Sequence, residues 1–302
     1  MFNKTRIAPT PSGYLHLGNV LSMLITTAIA RKHNASILLR IDDLDHLRTK
    51  NKYVEDIFTT LRFLEIPWDE GPISSKDFQK NWSQRKRLPL YKDTLNILLK
   101  NDDLFACDCS RKKVSRSSKD LSYPGICLHK NLTFQEADQN WRIKIPMGEV
   151  AEIKQISGKP ISSRLPPPLQ YFIVKKKDGL PAYQLTSVID DIHFGVDTII
   201  RGKDLNSSSV AQLLLAKKLG SDQFRDIQFL HHPLVMASQH QKLAKSAGST
   251  SIYYMRQHGA SKESIYQEIS GLLKLPHSVS NFEEFVKVFD VKNLPKDNLV
   301  IG

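Results

Sequence analysis

A chain of 302 residues and 34.4 kDa with 40% hydrophobic and 25% charged residues can bury enough apolar surface to offset the entropy of ordering it. That excludes a disordered tail and allows one large core or two smaller ones. The formal charge of +12 and pI near 9.5 favour a polyanionic partner through counterion release, although charge alone does not establish one. The opening MFNKTRIAPTPSG has no apolar signal core, and the apolar run from Val20 to Ala30 is broken by Ser22, Thr26 and Thr27. It falls short of the roughly 20 apolar residues that span a bilayer, so no membrane association and a cytoplasmic location are expected.

In chain order, residues 4–9 read as a strand, Pro11, Ser12 and Gly13 as a turn, and Leu15 to Ala30 as an apolar helix. The continuous run Ile37-Leu38-Leu39-Arg40-Ile41 reads as a strand of a parallel sheet, which makes the opening a βαβ unit. Val54, Ile57, Phe58, Leu61 and Leu64, and later Leu88, Tyr91, Leu95, Leu98 and Leu99, recur at helical spacing. From Cys107 to His129 the periodicity gives way to a basic, serine-rich excursion that holds all three cysteines. Strands are expected at 141–145, 171–175 and 198–201, with Asp178-Gly179 a turn signal, a helix from Val210 to Leu219, and an apolar segment from Phe229 to Met236. Short helical patterns follow at 252–258 and 262–273.

Four constellations carry chemistry. Arg6-Ile7-Ala8-Pro9-Thr10-Pro11-Ser12-Gly13-Tyr14-Leu15-His16-Leu17-Gly18-Asn19 lies between a strand end and a helix start, where backbone N–H groups and the helix dipole hold phosphate and His16 can donate to it. A bare HxG triplet would more often be an ordinary loop; the whole string points to a nucleotide. Lys242-Leu243-Ala244-Lys245-Ser246 reads as a loop whose lysines can neutralise developing phosphate charge, and it gains meaning only beside the first motif. Cys107, Cys109 and Cys127 within 21 residues suit tetrahedral zinc in preference to free thiols, with Tyr123 or His129 as fourth ligand. Asp42, Asp43 and Asp45 follow a strand, and Tyr183 and Arg201 stand at or near later strands; an acid, a tyrosine and an arginine are natural partners for an amino acid. Asp190-Asp191 has no assigned role, because loop acids that cap helices are common.

Five ordered segments, RIAPTPSGYLHLGN, RIDDLD, DGLPAYQLTSVIDD, IIRGKDL and KLAKS, resemble signatures of class I glutamyl-tRNA synthetases over roughly residues 5–255. Within that family the chain is similar to the short paralogues called glutamyl-queuosine tRNA(Asp) synthetases. The resemblance implies an α/β fold: a Rossmann-like catalytic domain with a parallel sheet, an inserted zinc-bearing arm and a short helical C-terminal region. Residues 1–105 and 141–246 would form the catalytic domain and the rest of its insertion, 106–140 the arm, and 247–302 the helical end, without an anticodon-binding domain.

It further implies that Arg6, Ala8, Thr10, Asp42, Tyr183 and Arg201 hold glutamate, that His16 and Gly18 bind ATP together with Lys245, and that His16, Lys242 and Lys245 stabilise the transition state, with Mg2+ shielding the phosphates. The paralogues' CxC, tyrosine, cysteine pattern maps Zn2+ onto Cys107, Cys109, Tyr123 and Cys127. Asp42 stands where the family usually has Glu, Thr10 where it has Ser, and Ala244 where it has the first Ser of KMSKS. The expected partners are glutamate and tRNA(Asp) bearing queuosine, the protein a monomer. The rival readings are a truncated synthetase that charges tRNA(Glu) and a non-catalytic tRNA-binding paralogue.

Overall fold

The computed structural model describes residues 2–117, 122–238, 241–242 and 251–300. The opening strand β1 (Lys4–Ile7) leads through the Pro/Ser/Gly loop into helix α1 (Leu17–Lys32), and the chain returns as β2 (Ser36–Leu39). β1 and β2 pair in parallel, Arg6 opposite Leu38. Helix α1 is apolar around its circumference and buried from Leu17 to Ala30 apart from Gly18, Asn19 and Ser22. Its two threonines satisfy their hydroxyls inside the helix: Thr26 Oγ1 donates to the Ser22 carbonyl at 2.7 Å and Thr27 Oγ1 to that of Met23 at 2.8 Å. Asn34 at φ 56°, a left-handed position asparagine tolerates, ends the turn into β2.

The chain continues through α2 (Asn51–Phe63), the single turn α3 (Ser75–Asp77), α4 (Leu88–Lys100), β3 (Leu104–Cys107) and α5 (Arg111–Ser117). Then come β4 (Asn140–Ile143), β5 (Val150–Gln155), β6 (Ile161–Arg164), β7 (Ile173–Lys175), α6 (Tyr183–His193) and β8 (Thr198–Gly202). Last are α7 (Asn206–Lys218), α8 (Asp222–Arg225), β9 (Gln228–His232), β10 (Val235–Ser238), β11 (Gln241–Lys242), α9 (Ile252–Gln257), α10 (Lys262–Leu273), α11 (Phe282–Val288) and β12 (Leu299–Val300).

These elements form two compact units. The first comprises residues 1–86, 198–204 and 230–302. Here β8 runs beside β1, Thr5 Oγ1 donating to the Thr198 carbonyl at 2.9 Å, while α1 packs on these strands and on α11. The second comprises residues 87–197 and 205–229. In it β3, β4 and β7 form an antiparallel sheet, β5 and β6 a hairpin, and α6 lies against α7 and α4.

Tyr183 stands near a strand, as expected: it opens α6 directly after Asp178-Gly179 turns the chain back, Lys175 bridges Pro181, and Ala182 N donates to the Val174 carbonyl of β7 at 2.8 Å. One sequence expectation changes here. Asp190 and Asp191 are not loop acids: both are buried on α6. Asp190 accepts from Arg87 Nε at 2.7 Å, Arg87 Nη2 at 3.1 Å and Tyr91 Oη at 2.6 Å, a lock between α4 and α6. Burial and the Asp190 charge push the Tyr91 hydroxyl far above its ordinary range, so it stays a donor. Removal of either charge would strand the other in the core, at a cost of about 3–5 kcal/mol.

Candidate functional site

The first site is built by the loops that leave β1 and β2. Parallel pairing carries past the strands: Arg40 N donates to the Ile7 carbonyl at 2.9 Å and Asp42 N to that of Pro9 at 3.0 Å. This sets the Ala8–Thr10 stretch beside the Asp42 backbone at the carboxyl ends of parallel strands, the ligand-receptive edge of such a sheet. The three acids of the second loop then part ways. Asp43 is buried and accepts from Ser83 Oγ at 2.5 Å and Gln84 N at 2.8 Å, while Asp45 pairs with Arg48. Asp42 is held by the guanidinium of Arg40, Nε to Oδ1 at 2.8 Å and Nη2 to Oδ2 at 3.3 Å.

His16 is the N-cap of α1 in a reciprocal box. Its Nδ1 accepts from Asn19 N at 3.3 Å, and its own N–H donates to Asn19 Oδ1 at 3.2 Å. Because Nδ1 accepts, the proton of the neutral ring sits on Nε2, which is the donor a phosphoryl oxygen needs. Gly18 makes room for that pose: a Cβ there would lie 3.2 Å from both Cε1 and Nδ1 of the ring. The same turn is tied to the chain beyond the lysine motif, since His16 bridges Ser251 and Ile252 N donates to the Leu15 carbonyl at 2.8 Å.

Arg6 on β1 and Arg201 on β8 are both buried, on strands that run side by side. Sequence reasoning missed their companion His231 on β9. Burial, the Arg201 charge and His232 together depress its pKa to about 3, which leaves the imidazole neutral. His232 is buried too, with Nε2 2.9 Å from Ser22 Oγ and Nδ1 2.9 Å from the Pro233 carbonyl, and burial lowers its pKa. The only sequence signal was the pair His231-His232 inside an otherwise apolar run.

Thus Arg6, Ala8, Thr10, His16, Gly18, Asp42 and Arg201 all lie in the first unit, whereas Tyr183 belongs to the second, half-exposed at the first residue of α6. The side chain of Lys242 and the whole of Lys245 lie outside the described residues.

The second site is the cysteine cluster of the second unit. β3 delivers Cys107, and the chain brings Cys109, Tyr123 and Cys127 back against it in a nest with Phe105. The three Sγ atoms lie within 4.8 Å of one another, Cys109 and Cys127 at 3.5 Å. Tetrahedral zinc with bonds of about 2.3 Å sets its sulfurs about 3.8 Å apart, so the donor set fits such an ion. Tyr123 Oη lies 3.3 Å from Cys107 Sγ and accepts from Cys127 N at 2.8 Å, with the Arg142 guanidinium 3.7 Å above its ring. His129 is exposed and outside the thiol group. Burial and the neighbouring thiols push Cys109 up to about 12. At Cys107 burial acts upward, but hydrogen bonds from Tyr123 and Arg142 outweigh it and lower the pKa. Beyond Cys109, Ser110 caps α5, whose Val114 packs on the nest while Lys112, Lys113 and Arg116 are exposed.

No helix among the described residues is long and apolar enough to cross a membrane. Residues 3–299 match the family described as tRNA synthetases class I (E and Q), catalytic domain. A Glutamyl-Q tRNA(Asp) synthetase of Symbiobacterium thermophilum is 34% identical over 97% of this chain and 94% of its own length. A glutamate–tRNA ligase of Hydrogenobaculum is 28% identical over 96% of this chain, which spans 63% of that relative's length. Among solved structures, the glutamate-tRNA synthetase of Elizabethkingia anophelis superposes on the whole chain with a TM-score of 0.80 at 22% identity, over 68% of its own length. That superposition gives the fold, the Rossmann-like α/β architecture with its parallel strands, and the sequence matches give the lineage: the chain belongs to the class I tRNA synthetases for E and Q, as their catalytic domain.

Proposed function

We propose that the protein activates glutamate with ATP and Mg2+ as glutamyl-adenylate and transfers the glutamyl group to queuosine in the anticodon of tRNA(Asp). The observation that supports this reading is the 34% identity to the Symbiobacterium relative over 97% of this chain, against 28% to the Hydrogenobaculum ligase over 96% of it. The first site supports the activation half. The α1 N-terminus offers backbone donors and His16 Nε2 to the ATP phosphates, and Gly18 keeps the approach open. Arg6 and Arg201 would face the carboxylates of glutamate, with Asp42, one methylene shorter than the usual Glu and already held by Arg40, addressing the ammonium directly or through water.

The α-carboxylate of glutamate attacks the α-phosphorus, the bond to the bridging oxygen breaks, and pyrophosphate leaves. A hydroxyl of queuosine's cyclopentenediol then attacks the glutamyl carbonyl and AMP departs. The chain's share is positioning and electrostatic stabilisation, to which Lys242 and Lys245 would contribute charge. Mg2+ supplies shielding of the phosphates. Zn2+ held by Cys107, Cys109, Tyr123 and Cys127 would be structural, pinning the arm without touching the reacting atoms.

The glutamate–tRNA ligases among the relatives keep one rival reading in view, the charging of tRNA(Glu). Labelled glutamate with ATP, Mg2+ and, in turn, queuosine-bearing tRNA(Asp), unmodified tRNA(Asp) and tRNA(Glu) separates the two. Label on the first alone is expected; label on tRNA(Glu) instead would establish the rival.

A further inference from the structure

Close to His16 the first unit carries an aromatic patch that the activation chemistry does not use. Tyr14, two residues before His16, stacks on Tyr253 with ring centroids 4.1 Å apart and planes within 5°. Tyr53 meets Tyr14 edge-on at 5.0 Å. Lys52 Nζ sits 5.2 Å from the Tyr53 ring centroid and 5.7 Å from that of Tyr14. Next along α9, Tyr254 stacks on His258 at 3.7 Å. The arrangement is fixed from below: Arg256 forms an ion pair with the buried Asp56 of α2, and the backbone of residues 251–252 is bonded to that of residues 15–16. Tyr253 and Tyr254 nevertheless keep 37% and 41% of their surface exposed.

Ring packing accounts for the half-buried Tyr14 and Tyr53, which tie α2 and α9 to the loop. It does not explain why two neighbouring tyrosines, a histidine and a lysine are held open on a rigid base beside the nucleotide-binding turn. Exposed π faces with a cation nearby are the chemistry of a single-stranded nucleic-acid platform: every base has a face to stack, and the lysine meets the phosphates. A chain with a net charge of +12 attracts such a strand, and an acceptor that must reach an acyl-adenylate at the end of β1 has to lay its neighbouring nucleotides on the surface next to His16.

We infer that Tyr253, Tyr254, His258 and Lys52 form a stacking platform for an unpaired base of the RNA that receives the activated glutamyl group. The inference rests on the proposed function for the identity of that RNA and on the patch itself for its chemistry.

The test is binding of a fluorescently labelled RNA stem-loop with the tRNA(Asp) anticodon sequence, read by anisotropy at fixed salt, so that it does not depend on catalysis. Tyr254→Leu is expected to weaken binding from about fivefold to about a hundredfold, the range for loss of one base–aromatic stack, and Tyr254→Phe to stay within about twofold of wild type. Lys52→Gln, remote from the packed core, is a second variant expected to weaken binding and lower its salt dependence. Unchanged affinity in Tyr254→Leu, equal loss in Tyr254→Phe, or competition by fully duplex RNA as strong as by the stem-loop would overturn the platform. Absence of glutamate-dependent pyrophosphate exchange in the wild type would overturn the proposed function and leave this binding result standing.

Discussion

The α1 N-terminus and the cysteine nest are built in opposite ways. The first would hold its proposed ligand largely with backbone: a short loop, an unencumbered glycine and one histidine whose tautomer is set by the helix it caps. The second would hold a metal with side chains alone, three buried sulfurs with a phenol beside them inside an apolar shell. The difference teaches where each should fail. A backbone site survives most substitutions and is disabled by the few that alter its donor or its clearance. A side-chain site loses its ligand with any one member, yet its loss is structural.

Substitutions that act on one region and spare the other sharpen this contrast, and the largest effect is expected at His16. His16→Ala removes the Nε2 donor and the cap together. Glutamate-dependent exchange should fall roughly 10²–10³-fold, as for loss of one preorganised donor, while stability drops by only about 1 kcal/mol and metal content is unchanged. Steady-state kinetics with elemental analysis on the same sample checks both halves; loss of metal in this variant would break the comparison.

Next comes Cys109→Ser. Bound zinc, measured by elemental analysis, should fall from about one per chain to none, with a lower melting temperature and exchange activity reduced no more than a few-fold. Wild-type protein that is folded and active without zinc would remove the metal from the account.

A smaller effect is expected of Gly18→Ala. The new methyl meets the His16 ring at 3.2 Å, tighter than ordinary contact, so the ring must shift by a few tenths of an ångström. Exchange should fall about tenfold, while unfolding stability stays within about 1 kcal/mol because alanine favours the helix. An unchanged rate would show that the ring has slack.

The smallest effect separates the regions by pH. His231, with its pKa depressed to about 3 by burial, Arg201 and His232, refuses a proton that the unfolded chain accepts near 6.5. Its contribution to stability is therefore complete above about pH 6.5 and is lost as the pH falls from there toward 3. Urea midpoints between about pH 7 and pH 5 should decline, and His231→Gln should flatten the slope.

The same contrast governs what could be read from sequence. The β1–loop–α1 motif was legible because its residues are contiguous and their spacing encodes the turn, and the cysteine cluster because residue type alone names the chemistry. Strand ends moved by two residues, since pairing past Ile7 and Leu39 continues in loop geometry. The β5–β6 hairpin and α6 were missed, as was the start of α7: residues 150–164 alternate weakly, and Tyr183–His193 buries Gln184, Thr186, Ser187, Asp190 and Asp191 beside its apolar residues, which blurs the helical stripe. Asp190 looked like any loop acid because its partners Arg87 and Tyr91 stand about a hundred positions away, and only the fold supplies them. His231 gave no sign of its neutrality, which is set by Arg201 on another strand.

If the protein forms glutamyl-adenylate without tRNA, ATP–pyrophosphate exchange with glutamate and Mg2+, in the absence of any tRNA and with aspartate and glutamine as controls, will show it. Exchange with glutamate alone is expected; no exchange with glutamate, or exchange with aspartate in its place, would overturn the proposed activation.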